Sequence, residues 1–223
     1  NRKFLQNYRV SFRHEQTYDH DKVLKRASSQ LYLQFLTLGD TNVFYNYEYN
    51  WKKSHLDFKF EDFINHYLRI GGKPLSFMDY NLTYKFGKDI AYRETIPQLG
   101  YETNINFDIE FAINNNLRVK PIISYQDIRK TNSSGYYFKG YIGRLDIRYQ
   151  FNNNLDIRLI SEYNDFSEEY FFQPLVSWKP NPDTVFYLGG NQNLINNFID
   201  YNSPFYRVNK SQFFVKLQYL VKS

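Results

Sequence analysis

Residues 42–52 carry the pattern that decides the fold, and they read NVFYNYEYNWK. Alternate positions give one aromatic-rich set, Val43, Tyr45, Tyr47, Tyr49 and Trp51, and one more polar set, Phe44, Asn46, Glu48, Asn50 and Lys52. A period of two predicts a β-strand, because successive side chains of a strand point to opposite faces of the sheet. An aromatic face opposite a charged face is typical of a membrane barrel, with lipid outside and a wet interior.

The same alternation recurs later in the chain. In residues 101–111 it separates Tyr101, Thr103, Ile105, Phe107, Ile109 and Phe111 from Glu102, Asn104, Asn106, Asp108 and Glu110. Near the C-terminus it separates Phe213, Val215, Leu217, Tyr219 and Val221 from Phe214, Lys216, Gln218 and Leu220. The alternative is that these aromatic residues form the core of a soluble β-sandwich. We favour the barrel because an even series of strands can close and leave no unpaired edge in lipid.

Composition agrees with alternating strands. The 223 residues are 20% aromatic, yet the mean hydropathy is −0.64. No stretch approaches the roughly 18 apolar residues of a membrane-spanning helix, which excludes helical spanning. The net charge is +5 and the chain has no cysteine. Basic and acidic residues are mixed along the strands, so we expect no nucleic-acid partner.

Connections between the predicted strands fall into two kinds. Short turns are predicted at residues 39–42 and 180–183 and at two copies of a three-asparagine turn, residues 113–117 and 151–155. Asparagine tolerates left-handed backbone, which suits tight hairpins. Longer, more charged loops are predicted at residues 14–28, 87–100, 129–135, 164–169 and 192–210. In outer-membrane barrels the short turns are periplasmic and the long loops external.

These signals predict an all-β, antiparallel, up-and-down transmembrane β-barrel of about 12 strands. The predicted strands are Lys3–Arg13, Ser29–Leu38, Asn42–Lys52, His55–Phe63, Asp79–Phe86, Tyr101–Ile113, Leu117–Ile128, Tyr136–Phe151, Leu155–Tyr163, Tyr170–Lys179, Thr184–Asn191 and Gln212–Val221. Residues 64–78 are too long for a short turn, and a hidden strand pair there would raise the count to 14. We expect one barrel domain over residues 1–223, either as a mature product or as the C-terminal part of a longer protein.

The alternation also predicts which side chains line the interior and which meet the membrane surface. The predicted lumen-lining residues are Asp108, Glu110, Arg118, Lys120, Arg144, Asp146, Arg148, Asp156, Arg158 and Glu162. The predicted aromatic girdle consists of Trp51, Tyr101, Tyr163, Trp178 and Tyr219, because aromatic rings favour the headgroup level. Long side chains of both signs would fill much of a 12-stranded interior and leave a narrow or closed pore.

The C-terminal third resembles a known family. The segments RYQFNNNLDIR at 148–158, QPLVSWKPNPDT at 173–184 and FVKLQYL at 214–220 are similar to the barrel part of Bacteroidota DUF5916-type proteins. The resemblance implies the cell envelope. In that family a domain similar to carbohydrate-binding module family 9 precedes the barrel, and members are often described as hydrolases or carbohydrate-binding proteins. No such domain is visible in this sequence.

The residues point to no catalytic, cofactor or metal site. Glu168 and Glu169 are adjacent acids in a predicted loop, and Asp19, His20 and Asp21 lack further ligands at a useful spacing. The leading hypothesis is an outer-membrane anchor or scaffold for a surface complex or a glycan-related domain. The alternatives are a diffusion channel for small polar or saccharide solutes and the barrel of a surface enzyme acting on glycans. Expected partners are the lipid bilayer and lipopolysaccharide, with other outer-membrane proteins, lipoproteins or a glycan as further candidates.

Overall fold

Twelve antiparallel strands form one sheet in the computed structural model, which describes residues 4–197 and 205–220. The strands are β1 (Leu5–Tyr18), β2 (Leu24–Thr37), β3 (Thr41–His55), β4 (Phe58–Leu75), β5 (Met78–Ala91), β6 (Gln98–Ala112), β7 (Leu117–Lys130), β8 (Tyr136–Asn152), β9 (Leu155–Asn164), β10 (Glu169–Asn181), β11 (Thr184–Asn197) and β12 (Phe205–Tyr219). A single 3-10 turn, Leu38–Asp40, links β2 to β3. The predicted all-β, up-and-down order and the number of strands are confirmed.

The strand order runs from β1 to β12 without a crossover. β1 and β12 are therefore the two ends of that order, and no ladder between them is found in the described part of the chain. The chain divides into two units, Asn1–Phe107 with Ser124–Gly140, and Asp108–Ile123 with Tyr141–Ser223. We call them unit 1 and unit 2. The expectation of a single domain stays a prediction.

The strands extend into the predicted long loops at residues 14–28 and 87–100, which are therefore shorter than predicted, whereas the predicted loops at 129–135 and 164–169 are confirmed by links at 131–135 and 165–168. β1 and β2 stay paired up to Tyr18 and Leu24, and only residues 19–23 remain between them. The other links on the same edge of the sheet are residues 56–57, 92–97, 131–135 and 165–168. Charged side chains such as those of His14 and Glu15 had indicated loops. Backbone pairing does not depend on apolar side chains, so the ladder continues through them.

Residues 64–78 contain no extra strand pair. β4 runs through them to Leu75, and a two-residue turn leads to β5 at Met78. The predicted strand ends Lys3 and Val221 and part of the predicted loop 192–210, residues 198–204, lie outside the described residues.

The three-asparagine turns form where predicted, but for a different reason. Asn114 Oδ1 accepts hydrogen bonds from the backbone N–H groups of Asn116 and Leu117, at 2.8 and 2.9 Å. Asn152 Oδ1 does the same for Asn154 and Leu155, at 2.8 and 2.9 Å. Among the described residues, neither triplet contains an asparagine with positive φ. The first asparagine of each triplet, Asn114 or Asn152, therefore acts as a side-chain acceptor that fixes the turn.

Register sorts the side chains into two faces within each unit. Residues directly opposite each other in an antiparallel ladder share a face. In unit 1 an apolar row crosses five strands: Val10, Leu33, Tyr45, Leu68 and Tyr84. In unit 2 the corresponding row is Tyr149, Ile157, Val176, Leu188 and Val215. We call this side of the sheet the apolar face and the opposite side the polar face.

Buried side chains of unit 1 are partly apolar and largely polar. Phe60, Phe63 and Ile90 form a small apolar cluster. The buried polar residues of unit 1 are Ser28, Gln30, Asn50, Asn65, Glu102 and Asp127. Asn50 Nδ2 donates to Asn65 Oδ1 at 2.8 Å, and Asn65 Nδ2 donates to the carbonyl of Lys88 at 2.5 Å. Buried amides are thus paired with one another and with backbone, as burial requires.

Candidate functional site

The ten predicted lumen residues occupy alternate positions of β6, β7, β8 and β9 in unit 2. Three couples of opposite charge meet: Asp108 with Lys120 at 3.1 Å, Glu110 with Arg118 at 3.4 Å, and Arg144 with Glu162 at 3.5 Å. We call these three pairs the charge ladder. Their side chains remain 26 to 64% exposed. Exposed pairs of this kind contribute little stability, and their carboxylates and guanidinium groups remain accessible to ions and solutes.

The remaining predicted lumen residues are arranged differently. Arg148 lies directly opposite Arg158, so two like charges share one position of the ladder. Asp146 lies opposite Ile160, and Asp156 lies opposite Gln150 and Ser177. The alternation placed these residues on a common face, but it could not say which ones would meet. That the ten predicted residues line a lumen stays a prediction.

A second group of charges, which the sequence analysis did not single out, lies in unit 1. Its two carboxylates are more buried than those of the charge ladder, and the side chains of Asp89 and Lys85 are 13% and 33% exposed. Lys85 Nζ pairs with Asp89 and lies 2.5 Å from Glu102 Oε2. The Glu102 side chain is only 4% exposed. Gln126 Nε2 donates to Glu102 Oε1 at 3.2 Å, and Lys53 Nζ lies 3.7 Å from Asp89. We call Lys85, Asp89 and Glu102 the buried cluster; each charge has a partner of opposite sign, as burial demands.

A cavity of about 390 Å³ lies against the buried cluster. Besides these charges its wall includes three aromatic side chains, Tyr92, Tyr137 and Phe138. Arg93 stacks over Phe138, and Tyr137 donates to Gln98 at 2.6 Å. Glu102 follows the alternation of residues 101–111, so the sequence placed it on the polar side. Its ion pair depends on the register between strands, which the sequence does not show.

Another cavity of unit 1, of about 460 Å³, lies beside Gly71 on the polar face. Amide side chains and aromatic rings share its wall, including Asn42, Asn81, Phe44 and Tyr67. Phe44 belonged to the more polar set of residues 42–52, where its ring was the exception to the pattern. That exception was the available signal for this cavity.

The predicted girdle residues lie near strand ends. Trp51 and Tyr101 are about half exposed, and Trp51 Nε1 donates to Ser29 Oγ at 3.0 Å. Trp178 and Tyr219 are also exposed and lie near the C-terminal ends of β10 and β12. Tyr163 is half-buried and packs on Tyr170 with ring centroids 4.6 Å apart. Their role at a membrane surface stays a prediction.

The acidic residues singled out in the predicted loops, Asp19, Glu168 and Glu169, lie in links between strands or at the start of a strand. Asp19 Oδ1 accepts from the backbone N–H groups of Val23 and Asp21, at 2.8 and 3.0 Å, and Oδ2 pairs with Lys25 at 3.1 Å. The Val23 hydrogen bond, followed by Lys25, lowers the pKa of Asp19 below its usual value. Glu168 lies in a turn with a positive φ of 54°, and Glu169 begins β10.

In the described part of the chain, no group of three or more His, Cys, Asp or Glu side chains is arranged to hold a metal ion. Within residues 4–197 and 205–220, no helix has the length and apolar character needed to cross a membrane. The chain matches no protein-family model and no curated protein.

Proposed function

We propose that this chain is a transmembrane β-barrel of a bacterial outer membrane and acts there as an anchor or scaffold. The supporting observation is an apolar face of large exposed side chains opposite a face of ion pairs. Phe213, Val215 and Leu217 on β12 are 71, 67 and 59% exposed. A monomeric protein in water rarely leaves large contiguous apolar patches uncovered.

The single sheet strengthens this proposal. β-Proteins in water cover the apolar side of a sheet with a second sheet or with helices. All the described strands belong to one sheet, and on its apolar face Val10 in unit 1 and Val215 in unit 2 are 59 and 67% exposed. Acyl chains would cover it without further protein. The strands are long enough, since 14 residues of β1 extend roughly 48 Å at about 3.4 Å per residue.

Closure is part of the proposal. Hydrocarbon offers no hydrogen bonds to the edge groups of β1 and β12, so in lipid these strands need partners. With an even number of strands, β12 would pair with β1 in the antiparallel sense.

A cross-linking experiment tests this closure, and the chain has no native cysteine that would interfere with it. Cysteine introduced at Val10 and, one at a time, at Phe213, Val215, Leu217 and Tyr219 should give one pair that oxidises efficiently in native membranes. If none forms a disulfide, closure between these strands is wrong.

An anchor is favoured over an open pore because long charged side chains occupy the polar face of both units. The resemblance to DUF5916-type barrels supports a glycan-related surface assembly as the object that is anchored. Lipopolysaccharide is the proposed lipid partner, since Lys88 over Tyr101 and Lys139 over Tyr136 combine cations with interfacial rings.

Location is the decisive experiment. The expressed full chain should sediment with outer membranes, require detergent for extraction, and migrate differently on gels before and after boiling. A well-folded monomer purified from detergent-free buffer would refute the proposal.

The diffusion channel is the second candidate, and one observation favours it. The cavity beside Gly71 opens space on the polar face where neighbouring rows are filled by side chains. Steady single-channel currents from purified protein in planar bilayers would support the channel. Their absence, with folded protein shown to be inserted, would leave the anchor.

A further inference from the structure

The polar face of unit 1 has a cavity beside Gly71, which lies between two asparagines of the neighbouring strands. In one row of the ladder Asn42, Gly71 and Asn81 lie side by side on β3, β4 and β5. Gly71 contributes no side chain, and the cavity of about 460 Å³ borders it. A methyl group there would lie 3.1 Å from the carbonyl oxygen of Tyr80 and 3.3 Å from Asn81 Oδ1, so neighbouring atoms already crowd that position. We call the part of the cavity beside Gly71 the Gly71 notch.

Aromatic rings lead along the polar face to the notch. In the next row Gln34, Phe44 and Arg69 are neighbours, and in the row beyond it Tyr32 and Tyr67 flank Asn46. The rings of Tyr32 and Phe44 have centroids 5.9 Å apart, and those of Phe44 and Tyr67 are 6.0 Å apart. Three rings thus form a continuous aromatic strip on a face that also carries amide and charged side chains.

The polar groups around the notch can both donate and accept hydrogen bonds. Gln34 Nε2 donates to Asn42 Oδ1 at 3.4 Å, and Arg69 Nε donates to Asn81 Oδ1 at 2.8 Å. Each amide side chain has two donor hydrogens and a carbonyl acceptor, so Gln34 and Asn42 keep capacity for a ligand beyond the bond between them. Vicinal hydroxyl groups, which also donate and accept, match such a set of amides.

Charge limits the kind of ligand. Arg69 and Asp79 both border the cavity, and Asp79 also pairs with Lys73 at 3.4 Å. A strong anion would be repelled by the Asp79 carboxylate, and a cation by Arg69 and Lys73. The site is therefore best suited to a neutral molecule with an apolar side for the rings and hydroxyl groups for the amides.

We propose that the Gly71 notch and the strip of Tyr32, Phe44 and Tyr67 bind a neutral oligosaccharide. One sugar ring lies against Phe44 and Tyr67 with its C–H face, and its hydroxyl groups bond to Gln34, Asn42 and Arg69. The cavity of about 460 Å³ is within the usual size range of small-molecule sites. The site rests on the proposed barrel only in that the polar face then lines the interior.

Binding to purified full-length chain in detergent micelles tests this site directly. Maltohexaose, cellohexaose and mannohexaose are titrated separately by calorimetry. At least one should bind with a dissociation constant of about 1 mM or tighter. Phe44→Leu and Tyr67→Leu should each weaken that binding about tenfold or more, whereas Tyr67→Phe keeps the ring and should retain it.

Tyr187→Leu is the matched control, because Tyr187 is a half-buried ring on the polar face of unit 2 opposite Lys216. It should leave the affinity unchanged. If Phe44→Leu does not fold, Tyr67→Leu and Gln34→Ala decide. The site is refuted if none of the three sugars binds, or if Tyr67→Leu binds as tightly as the unchanged chain. It is also refuted if Tyr187→Leu weakens binding as much as Tyr67→Leu does.

Failure of this site and failure of the proposed barrel give different results. Membrane fractionation reports the location and does not depend on sugar. A chain that is found in the outer membrane but binds none of the three sugars refutes the sugar site alone. A chain that folds in detergent-free buffer yet binds sugar through Tyr67 refutes the barrel alone.

Discussion

The polar faces of the two units hold their charges in different ways. In unit 1 the buried cluster places Glu102 at 4% exposure beside Lys85, within a layer of paired amides. In unit 2 the charge ladder leaves Glu110 at 39% and Arg118 at 64% exposure. Both come from the same alternation in the sequence, and Glu102 and Glu110 even share strand β6. The same residue type therefore acts as a structural ion in one unit and as a solvated surface charge in the other.

Removing the central cation of the buried cluster should have the largest effect. Lys85→Met leaves Asp89 and Glu102 buried without their shared partner, and the free energy of unfolding should fall by about 3 kcal/mol. Denaturant titration of the folded chain in detergent measures it. The matched change in the charge ladder, Lys120→Met, should cost no more than about 1 kcal/mol. Equal losses in the two variants would contradict the contrast between the units.

The buried amide pair should come next. Asn50→Ala removes the donor to Asn65 Oδ1 at a position where Asn50 is 2% exposed. An unsatisfied buried acceptor costs about 2 kcal/mol, which the same titration would detect. Asn106 makes a comparable hydrogen bond to Asn104 on an exposed position, and Asn106→Ala should change stability by less than about 0.5 kcal/mol. A neutral Asn50→Ala variant would mean that this layer of unit 1 is hydrated.

The asparagine turns of unit 2 should show a smaller loss. Asn152→Ala removes an acceptor for two backbone N–H groups that are exposed, so water replaces it in part. We expect a loss of about 1 kcal/mol, and the same for Asn114→Ala, because the two turns have the same hydrogen bonds. Asn153→Ala, in the exposed turn itself, is the control and should be near neutral. A large effect of Asn153→Ala with none at Asn152 would show that backbone conformation decides the turn.

The smallest effect belongs to a single pair of the charge ladder. A double-mutant cycle with Arg144→Gln and Glu162→Gln should give a coupling of about 0.5 kcal/mol. The coupling should decrease as ionic strength rises from 0.01 to 1 M, since exposed charges are screened. A coupling above about 2 kcal/mol that does not change with ionic strength would mean that this pair behaves like the buried cluster. The distinction between the two units would then be wrong.

Much of the fold followed from local patterns. The alternation at residues 42–52, 101–111 and 213–221 predicted strands, and the asparagine triplets predicted two of the hairpins. Strand ends were less predictable, because residues such as His14 and Glu15 look like loop residues yet continue the ladder. The segment 64–78 shows the same effect, with Gly71 and Gly72 inside β4 where a break was expected.

The candidate sites were predicted less completely. Alternation identified the residues of the charge ladder, and the structure pairs Arg144 with Glu162 as opposite neighbours. It did not reveal that Arg148 would face Arg158, or that Lys85 would reach both Asp89 and Glu102. The contacts of Arg148 with Arg158 and of Lys85 with Glu102 join neighbouring strands, and a shift of one residue in either ladder would replace these partners.

The sequence by itself determined that the chain forms about twelve antiparallel strands with one apolar and one polar face, because a period of two and the chemistry of turn residues are local properties. Only the tertiary structure decided which charges are buried together, which remain exposed, and that a cavity lies beside Gly71. These depend on register, and register is set jointly by hydrogen bonds, bulges and packing between neighbouring strands.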